Sequence, residues 1–387
     1  MHTRVRLCCV LATVLAVLAA PFLSMSSSAD AGVPPQPYQV LAPITQDNLT
    51  IFPVVTSTSH DTSKFLTLDE GLSSGQVIVT EAGQARTMLR RQNHLSLSND
   101  GAEVNRLVLI NKSGRPLLLL AGEIVTGGKQ DRIVGKDRIV PPGSEPVDLS
   151  VFCVEPGRWV RTSSSFGALS LQMAQPSVRR NAMAEESQTR VWDEVRSAHK
   201  AMARSGAPSP STTTSYAAVM QSSPVQNEID KVAQPIEQSY DRLMGELRDR
   251  KAVGVVVAVN GRLIWADVFA SASLLEKYWP KLVRSYAAEA IVARAASKQN
   301  QPVLADAQQF LNAAGGLREV VQTEPGVYRE SEQQAENYKV FELVSLLPNM
   351  NYLVHMTKMV TGSPANEEKH APQSQRPTGI VRPQIQW

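Results

Sequence analysis

The 387-residue chain has few of the residues from which common metal and redox sites are built. It contains three cysteines and six histidines, with no H-x-x-x-H pair and no cysteine cluster, which argues against a zinc site. It also has no long run of Lys and Arg, so it carries no electrostatic footprint for nucleic acid. We therefore expect no metal, no cofactor and no nucleic-acid partner; protein partners cannot be read from the sequence.

The scarcity of cysteine also limits how the fold is stabilised. Cys8 and Cys9 lie in the N-terminal apolar segment, which leaves Cys153 as the one cysteine of the processed chain. Without an internal disulfide, stability has to come from a packed core. A hydrophobic content of 43% over this length makes such a core feasible.

The N-terminus has the pattern of a secretory signal peptide. Arg4 and Arg6 precede an apolar stretch over Leu7–Leu23, and Ala29-Asp30-Ala31 follows it. A membrane anchor is the alternative, but a proline interrupts the stretch and an A-x-A site follows. We predict a signal peptide over residues 1–31 and a secreted or periplasmic protein. No later apolar run is long enough to cross a bilayer, so we expect no stable membrane insertion after cleavage.

The rest of the sequence predicts an α+β fold, with a β-rich N-terminal half followed by helices and a second small antiparallel sheet with long amphipathic helices. The predicted regions are a β-rich part ending in helix (38–204), a Ser/Thr/Pro-rich linker (205–224), a mixed part (225–360) and a disordered tail (361–387). Alternating Val, Ile, Leu and Thr between turn residues predict the first set of strands: Gln39–Ala42, Leu49–Val55, Gln76–Thr80, Glu103–Asn111, Pro116–Ala121, Gln130–Val140 and Val147–Val154.

Helical spacing of apolar residues predicts a short turn and four longer helices: Leu66–Leu72, Leu169–Arg204, Gln234–Arg248, Ser273–Ser297 and Pro302–Ala314. Asn260-Gly261 between two apolar runs predicts a hairpin with a type I′ turn, because both turn positions need positive φ. A second hairpin is expected around Pro348-Asn349.

The segment Leu117–Val160 carries the candidate site. Strand-forming residues alternate here with charges that packing alone does not need, and a glycine pair at 127–128 allows close approach of a ligand. Lys129 and Arg132 could clamp an anion. Further along, Glu155, Arg158 and Trp159 follow the end of a predicted strand. Either the three side chains bind a ligand together, or Glu155 and Arg158 form a structural ion pair while Trp159 caps the core. The candidate ligand-binding residues are Glu123, Lys129, Gln130, Asp131, Arg132, Glu155, Arg158 and Trp159.

Two features of this segment have alternative interpretations. Asp-Arg-Ile-Val repeats at an offset of six residues, which on one strand would place Asp131 with Asp137 and Arg132 with Arg138 on the same face. The alternative is a charged edge strand that resists aggregation. Cys153 is either a buried core thiol or a reactive one, and the turn-forming residues after it favour the buried thiol.

The order of these motifs resembles a bacterial family, the ARG and rhodanese-phosphatase-superfamily-associated protein domain. The resemblance covers roughly Phe52–Ala296, and its most specific pieces are Gly122-Glu123 with Lys129-Gln130 and Arg132, then Cys153-Val154-Glu155 with Gly157-Arg158-Trp159. It implies a link to ADP-ribosylglycohydrolase, rhodanese and phosphatase proteins, without an assigned activity. The chain departs from the family at Ile124, where the family has an acid, and at Asp131, where it has an asparagine.

These observations together predict an exported ligand-binding or sensor-like accessory domain. Lys129, Arg132 and Arg158 would hold a small anionic or polar ligand of the nucleotide or ADP-ribose type, oriented by acids and Gln130. The first alternative is a hydrolase on a phosphorylated or ADP-ribosyl-type substrate, with Glu123 or Glu155 as general base. The second is a structural envelope protein in which the charged motif is an ion-pair network.

Overall fold

A computed structural model describes residues 38–81, 106–157, 162–163, 165–205, 213–247, 250–295 and 300–361. The predicted signal peptide and all but the first residue of the predicted tail lie outside these ranges. Among the described residues, no helix combines the length and the hydrophobicity needed to cross a bilayer.

The largest sheet in the described part has nine antiparallel strands and joins the first and last described strands of the chain. In spatial order the main path is β1-β3-β13-β14-β18-β17-β16-β15, with β2 paired to β3. The strands are β1 (Gln39–Val40), β2 (Ile44–Gln46), β3 (Leu49–Val55), β13 (Ala252–Val259), β14 (Arg262–Phe269), β15 (Leu317–Glu324), β16 (Tyr328–Gln334), β17 (Tyr338–Ser345) and β18 (Leu353–Val360).

The middle of the chain forms a closed six-stranded barrel, whose strands follow each other in the order β11-β6-β5-β12-β8-β9. Its strands are β5 (Val77–Glu81), β6 (Arg106–Asn111), β8 (Glu123–Gly127), β9 (Arg132–Val134), β11 (Val147–Cys153) and β12 (Phe166–Met173). A small sheet of β4 (Leu66–Thr67), β7 (Leu117–Leu119) and β10 (Arg138–Val140) accompanies the barrel. Apolar side chains such as Val79, Leu107 and Val125 form a core cluster of their own here.

Seven α-helices occur in the described residues: α1 (Leu68–Ser73), α2 (Pro176–Met183), α3 (Gln188–Arg204), α4 (Tyr216–Gln221), α5 (Ser223–Glu246), α6 (Ala272–Val292) and α7 (Leu304–Asn312). The most buried of the long helices is α6, which contacts β12 of the barrel, β13 of the large sheet and α5. The main core cluster therefore spans both β layers and contains Trp279, Leu282 and Tyr286 from this helix.

The predicted α+β class, with β structure first and helices later, is confirmed. The sheet of the C-terminal half is larger than the sequence suggested, because β3 from the N-terminal half pairs with β13 along its whole length. Strands from both predicted regions thus share one sheet, while the proposed domain boundaries remain a prediction. The Asn260-Gly261 turn has φ of 52° and 82°, as a type I′ turn requires.

Several predicted elements differ from the structure. The helix predicted over Leu169–Arg204 is wrong in its first turns, where β12 completes the barrel before α2 and α3 begin. The predicted linker 205–224 contains α4, a short helix whose tyrosine and methionine are buried. Gln130–Val140 is two strands rather than one, so the repeated Asp-Arg-Ile-Val segments do not share a strand face. The break comes at Gly135, where a Cβ atom would lie 2.8 Å from the Phe152 ring.

Candidate functional site

One end of the barrel brings together most of the candidate residues. We call this end the glycine-rich rim and define it as Glu81, residues 127–132 and residues 153–155. Lys129, Gln130 and Asp131 form the turn between β8 and β9, where two glycines with positive φ reverse the chain. Arg132 is the first residue of β9 and pairs with the last residue of β11, which places Glu155 beside the turn.

The backbone amides of the rim turn already bind carboxylates of the chain itself. The Lys129 amide donates to Glu81 Oε1 (3.0 Å), the Gly127 amide to Asp131 Oδ1 (3.0 Å) and the Asp131 amide to Glu155 Oε2 (3.2 Å). The Ser215 hydroxyl donates to the second oxygen of Asp131 at 2.9 Å. Three acids from different segments therefore hold the turn in shape, a role that the sequence did not indicate for Glu81.

The Arg132 guanidinium lies inside this end of the barrel and not at the surface. The residue has 0% of its surface exposed, and its Nη1 donates to the Gln130 carbonyl at 2.7 Å. Lys129 is half-buried. The two cations predicted to clamp an anion are thus close in sequence but differ in access to solvent.

Two acceptors at the rim retain unused hydrogen-bonding capacity. Within the described part of the chain, no donor lies within hydrogen-bond distance of Glu81 Oε2 or Gln130 Oε1, although both atoms are buried. The other oxygen of Glu81 is taken by the Lys129 amide, and the Gln130 amide nitrogen donates to the Glu155 carbonyl at 3.0 Å. Other buried polar atoms of the described residues also lack a partner, and these two differ from them in lying on the rim turn or bound to it, beside Lys129.

The remaining candidates are Glu123, Arg158 and Trp159. Arg158 and Trp159 lie outside the described residues, so their predicted convergence with Arg132 remains a prediction. Glu123 begins β8 and therefore lies at the other end of that strand.

Glu123 is bound in a buried ion-pair cluster. Its Oε1 accepts from Lys281 Nζ (2.8 Å), its Oε2 accepts from the Leu120 amide (2.9 Å), and Lys281 also binds Asp69 (2.6 Å). Burial raises the pKa of Glu123, even though the Lys281 ammonium opposes it. The cluster joins β8 to α6 and α1, and both oxygens of Glu123 are already engaged.

A second buried network, which the sequence did not indicate, centres on Asp267 of β14. Arg179 of α2 donates to both of its oxygens (2.9 and 3.2 Å), and both side chains are fully buried. Three neutral donors complete the carboxylate: Tyr286 at 2.5 Å, Trp265 at 2.9 Å and Thr357 at 2.9 Å. Although burial acts in the opposite direction, Arg179 and His355 hold the pKa of Asp267 well below its usual range.

His355 extends this network from the large sheet to the barrel side of the protein. Its Nδ1 donates to Asp137 Oδ2 at 2.5 Å, and its Nε2 lies 3.4 Å from Asp267 Oδ1. Burial alone lowers the pKa of His355, but the two carboxylates outweigh it and raise the pKa to about 9. The imidazole is therefore charged at neutral pH.

The Gly122-Glu123 motif lies between these networks. Gly122 has φ of 100°, and a Cβ atom there would sit 2.6 Å from the Arg179 side chain. The preceding amide, that of Ala121, donates to Asp137 Oδ1 at 2.7 Å. Gly122 is thus required both by its backbone conformation and by the close approach of a buried arginine.

Comparison with known families assigns the chain. Residues 37–359 match the ARG and Rhodanese-Phosphatase-superfamily-associated Protein domain. The chain belongs to this family. The match extends beyond the region of the sequence resemblance and covers the described strands of the barrel and of the large sheet. No curated protein and no solved structure matches the chain.

The two positions at which the sequence resemblance implied a departure from the family have clear environments. Ile124 is buried in the main core cluster. Asp131 accepts from the Gly127 amide and the Ser215 hydroxyl. In this member of the family both positions contribute contacts that shape the barrel.

Two nucleophilic side chains lie in structural surroundings: Cys153, and Ser73, which was not predicted from the sequence. Cys153 ends β11 with none of its surface exposed, as expected for a core thiol, and burial raises its pKa to about 11. Gly71-Leu72-Ser73-Ser74-Gly75 matches the serine-hydrolase pattern G-x-S-x-G. The motif needs a serine at a strand-to-helix elbow. Ser73 lies instead in the last turn of α1, where its hydroxyl donates to the Glu70 carbonyl. The described residues also contain no group of three or more His, Cys, Asp or Glu placed to bind a metal.

Proposed function

We propose that the protein is an exported ligand-binding domain of a sensor-like or accessory kind, and that the glycine-rich rim holds its ligand. The observation that carries the proposal is the pair of buried acceptors without donors, Glu81 Oε2 and Gln130 Oε1, next to the half-buried Lys129. A ligand with hydroxyl or amino donors would satisfy the two acceptors. A phosphate on the same ligand would pair with the lysine. Nucleotides and ADP-ribose-type molecules combine both groups.

The hydrogen bonds of the rim support recognition rather than catalysis. The carboxylates of Glu81, Asp131 and Glu155 accept from backbone amides of the turn, so they fix the position of the two acceptors and are not released for proton transfer. Preorganised polar groups of this kind lower the cost of ordering a site when a ligand binds. The hydrolase alternative loses Glu123 as a general base, because both of its oxygens are bound and it lies at the other end of β8.

The proposal is tested by isothermal titration and thermal unfolding of the processed chain. ADP-ribose, nucleoside phosphates and ribose 5-phosphate are compared with inorganic phosphate, which lacks the hydroxyl-bearing part. We expect Glu81→Gln to abolish the preference for the ribose-containing compounds. The glutamine keeps an oxygen for the Lys129 amide but turns an NH2 group towards the ligand donors.

The control is Glu246→Gln, which makes the same change at an exposed position near the end of α5. Binding by the control should equal that of the wild type. If none of the compounds binds the wild type, or if Glu81→Gln binds them equally well, the rim is not the ligand site.

The export part of the proposal has a separate test. Mass spectrometry of the protein from the native envelope should find an N-terminus close to residue 32, as expected for cleavage after Ala31. An intact Met1 terminus in the cytoplasmic fraction would contradict export.

A further inference from the structure

A cleft beside the barrel is lined by Arg138, the arginine of the second Asp-Arg-Ile-Val copy, which the proposed function leaves unused. Its polar lining is Lys136, Arg138, Asp148, Ser150 and Gln322, over an apolar floor of Leu119, Val134 and Leu149. Gln322 comes from β15, so the cleft lies between the barrel and the edge strand of the large sheet.

The lining offers mainly hydrogen-bond donors. Lys136 and Arg138 contribute two cations, and Ser150 and Gln322 add a hydroxyl and an amide. The one acid of the lining, Asp148, is already paired with Arg106 of the neighbouring strand β6. Among the residues that line the cleft, the two cations therefore outnumber the one acid.

The Arg138 guanidinium is held in place with part of its capacity unused. Its Nη1 donates to the Asp148 carbonyl at 2.7 Å, and the guanidinium lies 6.0 Å from the centre of the Tyr328 ring. Its Nε is buried and meets no acceptor among the described residues. A guanidinium held in this way, with one N–H still without an acceptor, can take a further oxygen from a planar or tetrahedral oxyanion.

The carboxylates that now neutralise the two cations are exposed enough to be displaced. Lys136 binds Glu186 at 2.9 Å and Arg138 Nη2 binds Glu324 at 3.1 Å, with 56% and 34% of the acidic side chains exposed. Ion pairs at such exposure contribute little to stability, so a ligand oxyanion can compete with them.

We propose that this cleft is a second site, which binds a small oxyanion such as a carboxylate or a phosphate through Lys136 and Arg138. The site is distinct from the glycine-rich rim and does not depend on it. Bound there, an oxyanion would bridge the barrel to β15, whose residues Leu317–Val321 are exposed.

The test is titration of the processed chain with sodium phosphate and, in a second arm, sodium succinate, at constant ionic strength balanced with sodium chloride. We expect saturable binding of at least one of the two, which also tells phosphate from carboxylate chemistry. Arg138→Gln and Lys136→Gln should each weaken binding about tenfold or more. Glu324→Gln should strengthen binding, because it removes the competing carboxylate.

Two controls separate this site from other cations. Arg196→Gln removes a surface cation of α3 that neither lines the cleft nor pairs with a lining residue, and Lys129→Gln removes the cation of the rim; both should bind as the wild type does. The proposal would be overturned if the wild type showed no saturable binding, or if Arg138→Gln and Lys136→Gln bound as tightly as the wild type. Weaker binding by Glu324→Gln than by the wild type would also overturn it. Loss of binding in Lys129→Gln alone would assign the oxyanion to the rim instead.

Discussion

Replacement of Arg179 by methionine is the most direct test of how the interior is held together. Arg179 and Asp267 are both fully buried and share two hydrogen bonds. Methionine fills much of the space of the arginine stem, so the main change is loss of the positive charge. Asp267 would then keep its negative charge among neutral donors, with His355 Nε2 at 3.4 Å as its nearest cation.

The expected magnitude follows from the loss of the main compensating charge. Removing one partner of a buried ion pair costs about 3–5 kcal/mol. His355, which Asp137 shares, still compensates part of the Asp267 charge, so we expect a loss of about 3 kcal/mol, at the lower end of this range. The matched control is Arg190→Met, because Arg190 pairs with Glu185 at the surface. An exposed pair is worth at most about 1 kcal/mol.

Urea unfolding at neutral pH measures the free energy of unfolding of both variants. A loss in Arg179→Met that equals the loss in Arg190→Met would refute the reasoning. The double variant Arg179→Met/Asp267→Asn offers a second check, because it removes the uncompensated charge together with its partner. We expect it to be more stable than Arg179→Met alone, and additive losses would show that the pair is not coupled.

Three further predictions concern single sites. The free energy of unfolding of the wild type should fall as pH rises from 6.5 to 9. The folded state raises the pKa of His355 from 6.5 to about 9 and so keeps a proton that the unfolded state releases. In His355→Gln the urea midpoint should depend less on pH over this range. Gly122→Ala should lower the free energy of unfolding by more than about 1 kcal/mol, because its φ is strained for alanine and its Cβ would contact Arg179. Gly143→Ala, also at positive φ but with open space around it, should lower the free energy of unfolding by less in the same assay. Cys153 should react with alkylating reagents only slowly in the folded protein, and Cys153→Ala should cost about 1 kcal/mol; rapid labelling at neutral pH would indicate a reactive thiol.

Local patterns in the sequence were sufficient for elements that depend on neighbouring residues. β3 and the β13–β14 hairpin were predicted closely, because alternating apolar residues and an Asn-Gly turn determine them within a short window. The β8 strand was missed because Gly122-Glu123 and Gly127-Gly128 bound a run of only three β-forming residues. The β12 strand was assigned to a helix, since its conformation comes from pairing with β8 and β5 in the barrel.

The buried networks could not be predicted, because their partners are far apart in the sequence. Arg179 and Asp267 are 88 positions apart, and His355 and Asp137 are 218 apart. A charged residue within a strand is ordinarily predicted to face solvent, and from the sequence alone Asp267 of β14 would be predicted to do so. Three-dimensional pairing reverses the interpretation, as the charges of Asp267 and His355 are fully buried.

The Gly122-Glu123 motif gains its meaning from these networks. Three consecutive residues each meet a different buried charge: Ala121 donates to Asp137, Gly122 makes room for Arg179, and Glu123 binds Lys281. A chain segment with such contacts orients the barrel, the helices and the large sheet together, which explains why a glycine and an acid are needed side by side. The contribution of these contacts to stability therefore explains the motif. The unused acceptors of the rim are not explained by these networks, and the search for the ligand of the proposed function belongs there.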